Sequence, residues 1–250
     1  MIPILIWNAC GLGARVKTDF VASIIREHKV AVVAIIEPKQ NPARIRDVMW
    51  KIKIHGSMHD APNKNHIWIF WNKNTSVEMM QAGDQFITSK VTSGVNTFFL
   101  TFVYGSCDAL QCARLSSDLN GFLPRNLPWF VEGDFNIVAS PEERNGRGPF
   151  QRNASRDFNP FMAGKGLSDL GYSGDDFTWC NNQKGSHRSW SRLDRCLVNM
   201  EAISQFSTTN VRHLARGISD HSPLLVLISS GQDHRERFFF QQQWVTKLGY

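Results

Sequence analysis

The 250 residues are 42% hydrophobic and 20% charged, the proportions of a folded globular chain, which excludes a disordered segment, a collagen and a coiled coil. A chain of this length buries roughly 70 to 75% of its unfolded surface, so its core needs no disulfide or metal staple. The 28 lysines and arginines exceed the 22 aspartates and glutamates, and the net charge of +6 favours a polyanionic partner without naming one.

Residues 2–7 are an apolar, β-branched run with no basic segment before it, which predicts a strand and not a signal peptide. Phe20, Val21, Ile24 and Ile25 recur at helical spacing, and a second apolar run at 30–36 closes a strand–helix–strand opening. That run is only seven residues long, against about 20 needed to cross a bilayer, so no membrane partner is expected. Asn41 followed by Pro42 predicts a helix start, with the helix running to about Lys51. Strands are predicted at 67–71, 76–80, 85–91 and 97–104, with turns at 72–74 and at Ser93-Gly94. Beyond them the pattern predicts a helix over 108–122, a strand at 129–132, a helix over 153–165, and strands at 177–180, 192–198, 210–214 and 223–228. Strand–helix–strand followed by β meanders predicts a mixed α/β chain with two sheets. Residues 1–228 read as one domain and 229–250 as a tail.

Acids and amides stand just after apolar strands: Asn8, Glu37, and Asp134 with Asn136. In α/β folds side chains at strand ends project into the crevice where ligands bind. Oxygen donors without a histidine pair suit Mg²⁺, or Mn²⁺, better than zinc. His55 and His59 are four apart, but Gly56 stands where a zinc-binding helix needs glutamate. Gly11-Leu12-Gly13 imitates a dinucleotide fingerprint, yet its third glycine would fall on Val16, so a flexible turn is the better reading. The five cysteines, Cys10, Cys107, Cys112, Cys180 and Cys196, are odd in number and contain no C-x-x-C pair, which predicts a reducing compartment. Ser219-Asp220-His221-Ser222-Pro223 sets a histidine beside an acid, and Asp194 upstream could hold one ring nitrogen of His221.

Ile6-Trp7-Asn8, Glu37-Pro38-Lys39, Val103-Tyr104-Gly105, Gly133-Asp134-Phe135-Asn136, Phe177-Thr178-Trp179, Arg192-Leu193-Asp194 and Ser219 to Pro223 occur in the order and rough spacing of the endonuclease/exonuclease/phosphatase superfamily, which the chain resembles over residues 2–228. The stretches at 133–150, 167–179 and 193–199 look like the apurinic-type endonuclease domain of plant non-LTR (LINE-type) retrotransposons. Arg237-Phe238-Phe239-Phe240 and Trp244 are similar to the segment that in such elements leads toward a reverse transcriptase, which these 250 residues do not include.

The resemblance implies a four-layer α/β sandwich, two mixed and mainly antiparallel sheets face to face with helices outside. It implies a Mg²⁺-dependent endonuclease that nicks DNA and leaves a 3′ hydroxyl, resident in the nucleus, with no obligate protein partner. Glu37, aided by Asn8 and with Asp220 nearby, would hold the metal. Asp134 and Asn136 would position or activate water, His221, oriented by Asp194, would bind the scissile phosphate, and Tyr104 and Thr178 would contact phosphate oxygens. Arg144, Arg147 and Arg152, with Arg156, form a candidate DNA-backbone surface, adding affinity more than sequence specificity. The division of labour is physically reasonable. Phosphodiester hydrolysis needs its barrier lowered by roughly 20 kcal/mol, whereas one hydrogen-bond donor supplies about 3 to 4. Asn8 is followed by Ala9-Cys10-Gly11, where the family often carries Asn-Cys-Arg-Gly, so an arginine is missing. The alternatives are a phosphatase or phosphodiesterase for a small substrate and an inactive relic that binds nucleic acid.

Overall fold

The computed structural model describes every residue except 61–64, 107, 109–113, 116, 120–123, 125, 147–151 and 231–250, and describes 152–157 through the backbone alone. In chain order the strands are β1 (Ile2–Asn8), β2 (Val32–Ile36), β3 (Gly56–His59), β4 (Ile67–Trp71), β5 (Thr75–Ala82), β6 (Phe86–Ser93), β7 (Asn96–Tyr104), β8 (Trp129–Asp134), β9 (Arg144–Asn145), β10 (Ser168–Asp169), β11 (Ser173–Gly174), β12 (Trp179–Cys180), β13 (Trp190–Ser191), β14 (Asp194–Val198), β15 (Asn210–His213) and β16 (Leu224–Ile228). The helices are α1 (Arg15–His28), α2 (Ile45–Lys51), α3 (Arg152–Gly164) and α4 (Met200–Gln205).

Seven strands form one sheet in the order β11-β15-β16-β1-β2-β4-β3, and six form a second in the order β10-β14-β8-β7-β6-β5. β1 and β2 run parallel, as the strand–helix–strand opening requires, and so do β7 and β8 and β11 and β15; the other pairs are antiparallel. A small third sheet, β12-β13-β9, flanks them.

Alternation along the strands decides which sheet face each side chain joins. On β1, Ile4 and Ile6 enter the layer between the sheets with Val32, Ala34, Phe98, Phe102, Phe130 and Val226. Leu5 and Trp7 point the other way, onto Val21 and Ile24 of α1 and Ile45 and Val48 of α2. On β8, Trp129 and Val131 face Phe158 of α3, while Phe130 faces the opposite sheet. Counting on by twos puts Glu132 and Asp134 on that inward face as well. The fold is therefore the four-layer α/β sandwich, with apolar cores between the sheets and under the helices on either side.

Asn41 caps a 3₁₀ turn at Pro42–Arg44, its side chain accepting from the Ala43 N–H, and α2 begins only after it. β3 and α4 are not apparent in the sequence pattern. β12 is two residues long where a four-residue strand is expected, because Phe177 and Thr178 leave the ladder. The helix expected over 108–122 and the tail after 230 fall largely or wholly outside the described residues. No helix among the described residues is long and apolar enough to cross a membrane.

Candidate active site

Tyr104, Asp134 and Asp194 end up side by side because β7, β8 and β14 are neighbours and their registers align: Tyr104 pairs with Asp134, and Asp134 with Asp194. Glycine makes that alignment possible. Gly133 has φ +140°, and a Cβ there would lie 2.2 Å from the Val103 carbonyl oxygen; one at Gly105 would lie 2.4 Å from that of Phe135. The facing sheet presents a second row. Asn8 ends β1, Glu37 follows β2, and His221 precedes β16. Three hydrogen bonds join the rows: Tyr104 Oη donates to Glu37, Asn8 Nδ2 donates to Asp134 Oδ2 at 2.9 Å, and His221 Nδ1 meets Asp194 Oδ2 at 2.9 Å.

The centre of this array is buried. Asp134 is fully buried, Asp194 1% exposed and His221 5% exposed. Burial alone would depress the His221 imidazole, but the carboxylates of Asp194 and Asp134 outweigh it and raise the pKa to about 10. Burial is also the main influence on Asp134, raising it to about 6; repulsion from Asp194 adds to this, while attraction to His221 opposes it. At neutral pH the result is an imidazolium between two carboxylates. Its Nε2 lies 3.7 Å from Asp134 Oδ2. The Asn136 N–H holds Asp134 Oδ1 at 2.9 Å, and the Asn136 amide nitrogen donates to the Gly105 carbonyl at 2.8 Å. This arrangement supplies a cationic donor beside a carboxylate basic enough to accept a proton.

Glu37 lies at the edge of the array, and backbone bonds tie its loop to that of Asn8: Ala9 N–H to Ile36, Gly11 N–H to Glu37 and Leu12 N–H to Pro38 carbonyls. Burial would lift the Glu37 carboxyl, but the Lys39 ammonium and the Tyr104 hydroxyl outweigh it and hold it below the usual range. Lys39 Nζ is 2.5 Å from Glu37 Oε2 and 3.4 Å from Cys10 Sγ. Lys17 Nζ donates to the Ala9 and Cys10 carbonyls at 2.6 and 3.2 Å, so two lysines brace the loop that lacks the arginine. The sequence reading gave Lys39 no role beyond its motif. The spacing of Glu37 and Lys39 around a proline was the available signal, since both residues adopt positive φ, 48° and 47°, and this folds them back onto one another.

Two places could hold a cation. Asp134, Asp194 and His221 bring ligand atoms within 4.8 Å of one another, but their own imidazolium already supplies positive charge there. The Glu37 carboxylate, half-buried and held by Lys39 and Tyr104, is a hard oxygen ligand of the kind a divalent ion takes, while the nearby Asn8 Oδ1 accepts the Cys10 N–H. Asp220 is drawn partly aside, with Trp179 Nε1 and Ser219 Oγ each donating to its carboxylate at 3.2 Å.

Thr178 was expected to contact a phosphate oxygen. It is fully buried, and its Oγ1 accepts from the Leu193 and Asp194 N–H groups at 3.0 and 3.1 Å. It shapes the start of β14 through these two bonds. Arg144 is half-buried on β9, paired with Ser191, rather than on a solvated loop. Arg147 and the side chains of Arg152 and Arg156 lie outside the described residues.

Comparison with known proteins agrees with this architecture. The endonuclease domain of TRAS1, a telomere-specific non-LTR retrotransposon, superposes with a TM-score of 0.63 at 16% identity, covering 91% of this chain and 98% of that one. An AP endonuclease from Archaeoglobus fulgidus gives 0.67 at 16% identity, over 91% and 99%. The 3′ phosphatase NExo from Neisseria, solved with a product DNA hairpin, gives 0.67 at 14% identity, over 92% and 100%. No curated protein matches the chain. At such identities these likenesses carry the fold alone, whereas a family model matches the sequence itself over residues 5–221. The chain belongs to the endonuclease/exonuclease/phosphatase family.

Proposed function

We propose that this protein is a divalent-metal-dependent DNA endonuclease that hydrolyses one phosphodiester bond of a duplex, the target-site nicking of a retrotransposon-type element. The observation that carries the reading is the pair of rows, Tyr104-Asp134-Asp194 and Glu37-Asn8-His221, closed by three hydrogen bonds at one end of the sandwich. The excess of basic residues suits a polyanion, and the fold is shared with a retrotransposon endonuclease domain and with an enzyme bound to DNA. Nuclear residence goes with this reading.

Glu37, the Asn8 amide oxygen and Asp220 would hold a Mg²⁺ or Mn²⁺ ion, which supplies positive charge to the phosphate when bound. His221 donates from Nε2 to a non-bridging phosphate oxygen, and Asp194 fixes the ring by its bond to Nδ1. Asp134 accepts the proton of the attacking water, steadied by the Asn136 N–H. The water oxygen bonds to phosphorus, the P–O3′ bond breaks, and the 3′ oxygen leaves with the bonding pair and takes a proton from solvent to become a hydroxyl. Tyr104 keeps Glu37 in place and lies beside the same phosphate.

The test is nicking of supercoiled plasmid in Mg²⁺ or in chelator, with Asp134→Asn and His221→Gln alongside. Conversion to open circle only with metal, and lost in both variants, supports the reading. Release of phosphate from a small ester without nicking replaces it with a phosphatase. Binding of DNA without any hydrolysis leaves a relic.

A further inference from the structure

Four charged side chains beside the site make no side-chain hydrogen bond or ion pair with Asp134, Asp194 or His221 among the described residues. Glu143 follows the loop after β8, Asp169 ends β10, and Arg192 and Arg195 bracket Asp194. Arg192 Nη1 is 2.8 Å from Glu143 Oε1, and its Nη2 is 2.8 Å from Asp169 Oδ1. Arg195 Nη2 is 2.8 Å from Glu143 Oε2, and its Nη1 is 3.3 Å from Asp169 Oδ2. Each carboxylate thus bridges both guanidiniums and each guanidinium both carboxylates, a closed ring of four. Arg195 is 1% exposed and Arg192 6%.

A buried ring of this kind is a poor way to gain stability. Desolvating four charges costs about what their attraction returns, and apolar residues of similar volume often do as well. What planar, forked guanidiniums supply is fixed geometry. Arg195 uses it to join the two loops that carry the catalytic acids. Its Nη2 donates to the Ile137 carbonyl at 3.0 Å, just beyond Asp134 and Asn136, and to the Arg192 carbonyl at 3.1 Å, just before Asp194. The Arg192 N–H donates to the Glu143 carbonyl at 2.9 Å. The guanidinium of Arg195 stacks over the buried Phe158 ring at 5.1 Å and that of Arg192 over the exposed Tyr172 ring at 4.6 Å, so the Arg195 fork cannot rotate without disturbing a packed ring.

We propose that Arg195, through this ring, is a positioning residue that sets the spacing between Asp134 and Asp194 and thereby the orientation of His221 held between them. The proposal rests on the reading of that trio as the reaction centre. Hydrolysis tolerates little displacement: about 1 Å at a reacting group costs on the order of 100-fold. The three sequence stretches 133–150, 167–179 and 193–199 then share a physical purpose, since each contributes a member of the ring.

The test uses Arg195→Lys, which keeps the charge and loses the fork. The readout is the downfield proton resonance of His221 Nδ1–H in the ¹H spectrum of the free protein, assigned by its loss in His221→Gln. Near-UV circular dichroism checks folding, and kcat and KM for plasmid nicking are measured beside it. A folded variant whose resonance disappears or shifts, with kcat down about 10- to 100-fold and KM within about threefold, supports the proposal. A folded variant with an unmoved resonance overturns it. If Arg195→Lys does not fold, Glu143→Gln is judged by the same resonance, and failure of both to fold makes the ring a folding element and ends the proposal. Because the resonance is read without DNA, a wild type that shows it but nicks nothing sinks the nuclease reading and leaves the positioning claim to stand or fall separately.

Discussion

The Asn8 amide nitrogen donates to Asp134 Oδ2 at 2.9 Å, joining residues 126 positions apart on different sheets. Hydrogen bonds to charged groups contribute about 1.5 to 3 kcal/mol, so Asn8→Leu is expected to lower kcat/KM for nicking by about 10- to 100-fold. The check is the nicking rate of a variant whose near-UV spectrum matches the wild type; an unchanged rate removes Asn8 from the reaction.

Lys39 and Glu37 form a contact that any cation at Glu37 must displace, since the Lys39 ammonium sits on one carboxylate oxygen and the Tyr104 hydroxyl on the other. A partly exposed ion pair is worth about 1 kcal/mol, so Lys39→Met is expected to bind Mn²⁺ about fivefold more tightly. Titration followed by the paramagnetic resonance of free Mn²⁺ reads this directly, and weaker binding would show that the ammonium does not compete with the metal.

Glu132 sits between the sheets with one oxygen near Cys196 Sγ at 3.6 Å and the other without a partner among the described residues. Burial raises its carboxyl to about 8, far above the unfolded value near 4.5; the Cys196 contact only partly offsets this. The folded state therefore keeps a proton that the unfolded chain has lost between those pH values. Stability is full below about 4.5 and falls as pH rises toward 8, by several kcal/mol at most, at about 1.4 per unit. Glu132→Gln is expected to stabilise the protein at pH 8 and leave it nearly unchanged at pH 4.5, as measured by urea unfolding. An equal difference at the two pH values would contradict the assignment of a buried neutral acid.

Thr178 Oγ1 is the sole acceptor in the structure for two N–H groups at the start of β14 among the described contacts. Thr178→Val keeps the shape and removes that acceptor, at an expected cost of about 1 to 3 kcal/mol. Thr178→Ser is expected to retain most of the stability. Chemical unfolding of the two variants separates the hydroxyl from the methyl group.

Much of the fold was legible in the sequence because buried strands announce themselves through continuous apolar runs, as in β2, and half-buried ones through alternation, as in β7. β3, with the sequence Gly56-Ser57-Met58-His59, carries neither signal and exists because β4 offers it an edge. Residues at strand ends, such as Asn8, Glu37 and Asp134, could be singled out by position alone. The bonds between them could not, because they depend on registers set by partners far along the chain. Thr178 illustrates the limit: its motif places it near the site, but whether its hydroxyl faces a ligand or the backbone is decided by how Leu193 and Asp194 approach it. The Glu143, Asp169, Arg192 and Arg195 ring was hidden for the same reason, with each charge unremarkable in its own segment.

The three bonds that join the rows also fasten the molecule. Tyr104 to Glu37, Asn8 to Asp134 and His221 to Asp194 each run from one sheet to the other, and their partners are separated by long stretches of chain that must be organised first. A folding intermediate with either sheet formed alone would carry half of each pair and no competent centre. Recovery of hydrolytic turnover during refolding should therefore lag the return of β-sheet signal and coincide with docking of the two halves, so that catalysis itself reports the final act of assembly.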